Sequence, residues 1–201
     1  MKRMAIFISG RGSNMENIVR RVKQGRIRAE AGLVFSDNPK APGLKRAKAL
    51  GVDTACLERA AFESKELFEK AILEILKVRE IDFIVLAGYM KIVGTGIVRA
   101  YSGKILNIHP ALLPSFKGAH AIRDAFDYGA RVTGVTVHFV DEQVDHGPII
   151  LQEAVAIGSR DRLAEIEKKI HNVEYRLYPR AIRFFVSGKL KMEGRKVLIR
   201  R

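Results

Sequence analysis

The sequence predicts a doubly wound α/β fold with a mostly parallel sheet and an antiparallel element late in the chain. Three observations lead there. Unbroken apolar stretches at residues 4–8 and 83–87 have the pattern of strands covered on both faces, as parallel strands are. Segments with apolar residues three and four apart alternate with such stretches, which is the rhythm of β-α-β units. Between residues 135 and 156 two strand-like stretches follow one another with only a polar loop between them, so this pair is read as antiparallel.

Each element has its own signal. Residues 4–9 form the first strand, and the loop Ser9-Gly10-Arg11-Gly12-Ser13-Asn14 opens a helix with Met15, Ile18, Val19 and Val22 at its apolar positions. Residues 33–36 form the next strand, broken by Asp37-Asn38-Pro39 and Pro42-Gly43, and a short helix through Ala47 and Leu50 leads to a strand at 52–57. Ser64 is placed to cap a helix with Leu67, Ala71, Ile72, Ile75 and Leu76 on its inner face. After the strand at 83–87 comes Ile105-Leu106-Asn107-Ile108-His109-Pro110. Pro110 cannot donate to a ladder, so that strand ends there, with Asn107 and His109 on one face at its carboxyl end. Ligands bind at that end of open α/β sheets. A loop through Pro114 and Gly118 leads to a helix ending near Gly129, then to a strand with Val135, Val137 and Phe139 and another at 149–156. In the last long helix Leu163, Ile166, Ile170, Val173, Leu177, Ala181 and Phe184 recur at helical spacing, and Pro179 is expected to kink it or end its regular part. Residues 190–192 and 197–199 flank Gly194 as a hairpin.

A chain of 201 residues with 47% hydrophobic content is long enough for one well-filled core, so a single domain, 1–201, is expected. No stretch reaches the ~18 apolar residues that span a bilayer, and the first apolar run is too short for a signal peptide. A cytoplasmic protein without a membrane partner is expected. The single cysteine, Cys56, excludes an intrachain disulfide and is expected to be a small buried hydrophobe. The net charge of +14 is uneven: residues 1–28 carry eight Lys/Arg against one Glu, and residues 160–201 carry thirteen against five acids. Such ends suit steering of an anionic substrate, a nucleic-acid footprint, solubility, or ion-pair networks for high temperature. No nucleic-acid-binding signature accompanies them, aromatics are only 7%, and no specific nucleic-acid partner is expected.

Two places hold candidate chemistry. The 9–14 loop has the makings of an anion cradle, with glycines that admit close approach, Ser and Asn donors, and a following helix N-terminus. The third glycine of a dinucleotide signature would fall at Met15, so a single phosphate fits better than a pyrophosphate, and a structural tight turn fits as well. Four of five histidines, His109, His120, His138 and His146, lie between 109 and 146. They lack the spacing of a metal site, and no metal is expected. His138 alternates with Val137 and Phe139 and is either a satisfied strand residue or catalytic. Asn107, His109 and Asp145 fit acid/base chemistry: a carboxylate favours protonated imidazole, and an amide can donate to a developing oxyanion. From spacing alone, a turn cap beside a core-edge histidine fits equally.

Four blocks then match one family in order: the 9–14 loop, Leu86-Ala87-Gly88-Tyr89-Met90, Asn107-Ile108-His109-Pro110-Ala111-Leu112-Leu113-Pro114, and Asp145-x-Gly147-Pro148-Ile149-Ile150. Together, from about residue 3 to about residue 193, they resemble the phosphoribosylglycinamide formyltransferase family of purine biosynthesis. The resemblance implies a Rossmann-like formyltransferase fold, with a phosphate-binding half at about 1–100 and a catalytic, folate-contacting half at about 101–201. It implies formyl transfer from 10-formyltetrahydrofolate, a co-substrate, to the amine of 5'-phosphoribosylglycinamide, without a metal. Asn107 and protonated His109 would stabilise the tetrahedral oxygen. Asp145 would favour the protonated imidazole and organise a proton-carrying water. Gly12, Ser13 and Asn14 would hold the 5'-phosphate, and His171 and Glu174, beside the apolar stripe of the last helix, would contact the ribonucleotide. Lys65, the segment Met90, Lys91, Ile92 and Val93, and the loop Asp141, Glu142, Gln143, Val144 and Asp145 would form the folate pocket, with Asn107 reaching it too.

Three residues depart from the family pattern. Lys65 stands where arginine is frequent, Tyr175 where histidine is common, and His146 where small residues are usual. Methionyl-tRNA formyltransferase and formyltetrahydrofolate hydrolase resemble the chain over the catalytic domain, but each adds a domain that a 201-residue length is not expected to hold. A homodimer is left open.

Overall fold

The computed structural model describes residues 1–200, which fall into two compact units, the first Met1–Leu106 and the second from Asn107 onward. The first unit contains β1 (Lys2–Ile8), α1 (Ser13–Lys23), β2 (Ala29–Ser36), α2 (Pro42–Ala49), β3 (Thr54–Cys56), α3 (Lys65–Val78), β4 (Phe83–Leu86) and α4 (Thr95–Ala100). Its strands run β3-β2-β1-β4, and every pairing is parallel, with Ile6 opposite Val34 on one side and Val85 on the other. Met4, Ala5, Ile6, Phe7 and Ile8 are fully buried, as expected of a strand with neighbours on both edges and cover on both faces.

The second unit begins within β5 (Ile105–His109) and continues through α5 (Ala121–Asp127), β6 (Val132–Phe139), β7 (Ile149–Ala156), α6 (Leu163–Val186), β8 (Leu190–Glu193) and β9 (Lys196–Ile199). The strand order is β5-β6-β7-β9-β8. β6 and β7 are antiparallel, as are β8 and β9, and β9 joins β7 in parallel through Lys196 opposite Ile149. The chain thus has the mostly parallel α/β arrangement with late antiparallel strands that its sequence predicts. No helix among the described residues is long and apolar enough to cross a membrane.

The structure corrects three expectations and narrows a fourth. Cys56 is exposed, because it ends a three-residue edge strand with only β2 beside it. Its thiol pKa is raised by partial burial and by the Glu58 and Asp37 carboxylates. Leu67 is outward-facing at 47% exposure; α3 buries Ile72 and Leu76 as expected, but Phe68 and Glu69 in place of Leu67 at its start. Ser64 does cap that helix, accepting from Leu67 N–H at 3.1 Å. Of the two outcomes expected at Pro179, an end to the helix does not occur, since α6 runs on to Val186. Pro179 is one of the buried residues of α6, with Leu177, Tyr178, Ala181 and Ile182, and burial of that face outweighs the backbone hydrogen bond that proline cannot make. Glu174 lies on the buried side of α6, 5% exposed, rather than beside the stripe.

Candidate active site

β5 alternates as expected. Leu106 and Ile108 are buried on one face, and Asn107 and His109 turn to the other. The loop at 140–148, between β6 and β7, brings Asp145 to them. Its Oδ2 lies 3.4 Å from His109 Nδ1 and its Oδ1 3.5 Å from Asn107 Nδ2. The Gly118 amide donates to the same carboxylate at 2.9 Å. Asp145 holds this position with φ of 48°, a left-handed conformation that side chains with L configuration resist.

His138 is the fourth member, and the sequence left its role open. It is 1% exposed, with Nδ1 2.7 Å from the Phe139 carbonyl and Nε2 3.2 Å from Asn107 Nδ2. A carbonyl only accepts, so Nδ1 carries the proton, and Nε2 is left to accept from the amide. Burial lowers the His138 pKa, against the attraction of Asp145, which favours this neutral tautomer. The Asn107 amide is thereby oriented, with NH2 rather than oxygen towards His138. Its second hydrogen faces Asp145. A ladder irregularity between Val137 and His138 places the imidazole there. The run of histidines was the sequence signal for it, but nothing in the spacing tells which ring meets Asn107.

His109 is 4% exposed, and its Nε2 lies 2.7 Å from the Phe116 carbonyl. Both ring nitrogens therefore face oxygen acceptors, and an imidazole protonated on both serves both. The chain after Pro110 is pinned by Thr136, whose hydroxyl donates to Ala111 O at 2.7 Å and accepts from Leu113 N at 3.1 Å and Gln152 Nε2 at 3.0 Å. On α6, His171 and Glu174 form a pair of their own, Nδ1 to Oε2 2.9 Å, with the Tyr175 ring stacked on His171 at 6.4 Å.

In the first unit, the 9–14 loop leads into α1 through Gly12, at φ 72°. A methyl group there would fall 2.9 Å from Gly43 Cα, so glycine is required by strain and by space. No side chain caps the start of α1, the end of a helix whose first-turn amides point outward. Ser9 anchors the loop through four hydrogen bonds made by its three polar groups. Its N–H donates to Gly88 O at 2.9 Å, its carbonyl accepts from Asn38 Nδ2 at 3.1 Å, and its hydroxyl donates to Asp37 Oδ1 at 2.6 Å and accepts from Met90 N–H at 2.9 Å.

Ser9 thus also fixes the start of the 90–93 segment. Glu69 secures the far end: it is buried against Gly94, where a methyl group would overlap its carboxylate. Met90 and Ile92 are 62% and 67% exposed, an apolar surface suited to a flat ring. Lys65 opens α3 with Nζ 3.7 Å from Glu69 Oε1. In the second unit, Asp141 Oδ1 accepts from Gln143 N–H at 3.0 Å, and Glu142, Gln143 and Val144 are exposed. No group of three or more His, Cys, Asp or Glu among the described residues is arranged to hold a metal ion.

The formyl transferase family matches residues 2–182. Phosphoribosylglycinamide formyltransferase of Bacillus subtilis (strain 168) is 46% identical over 183 residues, 91% of this chain and 94% of that protein. The enzyme of the same name from Escherichia coli (strain K12) is 37% identical over 94% of this chain and 89% of its own length. Among solved structures, glycinamide ribonucleotide transformylase 1 from Symbiobacterium toebii superposes with a TM-score of 0.97 at 43% identity, covering 100% of this chain and 95% of that one.

Proposed function

Because the chain belongs to the formyl transferase family and is a formyltransferase enzyme, we propose that it transfers the formyl group of 10-formyltetrahydrofolate to the amine of 5'-phosphoribosylglycinamide in purine biosynthesis, in the cytoplasm. The observation that carries the reading is the meeting of Asn107, His109 and Asp145 around one point, with His138 orienting the amide. Relatives of that activity matched over most of both lengths support the choice of acceptor.

The chemistry follows from those groups. The neutral amine attacks the formyl carbon, a C–N bond forms, and the carbonyl electron pair moves onto oxygen. Asn107 Nδ2 swings one hydrogen from Asp145 to that oxygen, and doubly protonated His109 donates to it in exchange for the Phe116 carbonyl. Each such donor contributes about 2.7–4 kcal/mol to a transition state. Asp145, through a water, takes the proton shed by the attacking nitrogen. The same water passes that proton from Asp145 to the folate nitrogen. The electron pair on oxygen re-forms the C=O bond, and the bond from carbon to the folate nitrogen breaks with its electrons left on that nitrogen. In this reading Gly12, Ser13 and Asn14 hold the 5'-phosphate at the start of α1, and His171 and Glu174 contact the ribonucleotide. Lys65, Met90, Lys91, Ile92 and Val93, with Asp141, Glu142, Gln143, Val144, Asp145 and Asn107, contact the folate. Lysine at 65 offers a point charge rather than a bidentate fork.

The test is an assay with purified protein and both substrates, following formylated acceptor and free formate. Formylated product, unchanged by chelator, is expected. No turnover from a folded sample overturns the reading, and formate release at equal rate without the acceptor would make the protein a hydrolase.

A further inference from the structure

His146, the departure beside Asp145, is bound on both sides. Its Nδ1 lies 2.7 Å from Asp141 Oδ2, while Asp141 Oδ1 accepts from Gln143 N–H. A carboxylate oxygen only accepts, so Nδ1 donates to Asp141. Arg195 lies against the ring, with Nη1 3.1 Å from Nε2 and 3.4 Å from Nδ1, and its Nη2 donates to the His146 carbonyl at 2.6 Å. One guanidinium thus grips the ring and the backbone of a single residue, which a lysine cannot do.

Arg195 sits in the turn between β8 and β9, next to Lys196, the residue that pairs with Ile149 of β7. The C-terminal hairpin is consequently tied to the 140–148 loop through strand pairing and through the arginine. At its base the loop is closed by Phe139 N–H donating to Pro148 O at 2.9 Å. Gly147 leaves no room for a side chain, since a methyl group would overlap the Phe139 carbonyl. These ties leave Asp145 as the residue at left-handed φ, and its conformation persists only if its neighbours hold it.

We infer that Asp141, His146 and Arg195 form a clamp by which the C-terminal hairpin positions Asp145 for formyl transfer. None of the three touches the reacting atoms, and they act through the loop backbone. The inference rests on the proposed transfer reaction for its kinetic consequence and on geometry alone for its structural one.

The experiment compares wild type with Arg195→Met, Arg195→Lys, His146→Ala and the double variant Arg195→Met/His146→Ala. Arg200→Met is the control, because it removes the same charge from the same end of the chain outside the clamp. The first readout is kcat and KM with 10-formyltetrahydrofolate and phosphoribosylglycinamide. The second, in substrate-free protein, is hydrogen exchange of the Gly118 amide, which donates to Asp145. Arg195→Met is expected to lower kcat about three- to tenfold, the scale of losing two partly exposed polar contacts, with the acceptor KM within about twofold. Arg195→Lys should recover little, the double variant should be no worse than the poorer single one, and Gly118 exchange should quicken in each clamp variant. Arg195→Met with unchanged kcat and Gly118 exchange overturns the inference, as does an equal loss in Arg200→Met. If wild type shows no transfer, the functional reading fails, while Gly118 exchange still decides the clamp.

Discussion

Replacing His138 by leucine removes two buried polar contacts while keeping most of the volume. The Asn107 amide loses its acceptor and the Phe139 carbonyl its imidazole donor. An orphaned buried group costs about 1–3 kcal/mol, so the two together come to about 2–6 kcal/mol, offset in part by burying leucine. A pH term separates this from ordinary destabilisation. His138 has a lowered pKa when folded, so below its unfolded value the unfolded chain binds more protons. The stability it contributes is complete above about 6.5 and is lost as pH falls from there towards the folded value. From about pH 7.5 to about pH 5.5 the loss is at most about 1.4 kcal/mol, or about 3–6 °C in Tm for a chain of this size. His138→Leu lacks this term. Urea unfolding of both proteins at the two pH values should show wild type more stable at the higher pH, with the gap narrowing as pH falls. A gap that is constant or widens would refute the neutral, buried tautomer and the amide orientation built on it.

His109→Ala and Asp145→Asn should each lose most turnover, about a hundredfold or more, while unfolding cooperatively near the wild-type temperature; retained activity in either removes that residue from the mechanism. Gly94→Ala should drive the Glu69 carboxylate out of its place against the backbone. The expected result is a higher KM for the formyl donor, about 1–3 kcal/mol lower stability, and an unaltered KM for the acceptor; unchanged stability would show that Glu69 moves aside freely.

Where pattern is local, the sequence was legible. Alternation at Leu106, Asn107, Ile108 and His109 and the stop at Pro110 define β5 and the face of its polar pair, because strand geometry permits one arrangement. Continuous apolar runs at 4–8 and 83–86 mark strands with two covered faces for a similar reason. The failures come where tertiary partners decide. Helix periodicity cannot fix a face to within one residue when apolar side chains sit on both sides of it, so Leu67 was placed inside and Phe68 overlooked. α4 starts in Gly94-Thr95-Gly96, a poor helix sequence, and forms because Ile97 and Val98 become buried. A cysteine is usually buried, but a short edge strand left Cys56 uncovered. The partner of His138 depends on a ladder irregularity that no composition rule foresees, and the grip of Arg195 on His146 joins residues 49 positions apart, beyond the reach of any local pattern.

The saturation of Ser9 bears on how the 9–14 loop can be engineered. A loop joined to its scaffold only at its ends can be exchanged like a cassette. This one begins at a residue whose amide, carbonyl and hydroxyl are committed to Gly88, Asn38, Asp37 and Met90, so the chain segments after β1, β2 and β4 share one junction. A transplant of residues 10–14 into another protein would carry the sequence of the loop without its placement. A working graft has to move all three segments together, and any library that diversifies one of them samples the other two indirectly.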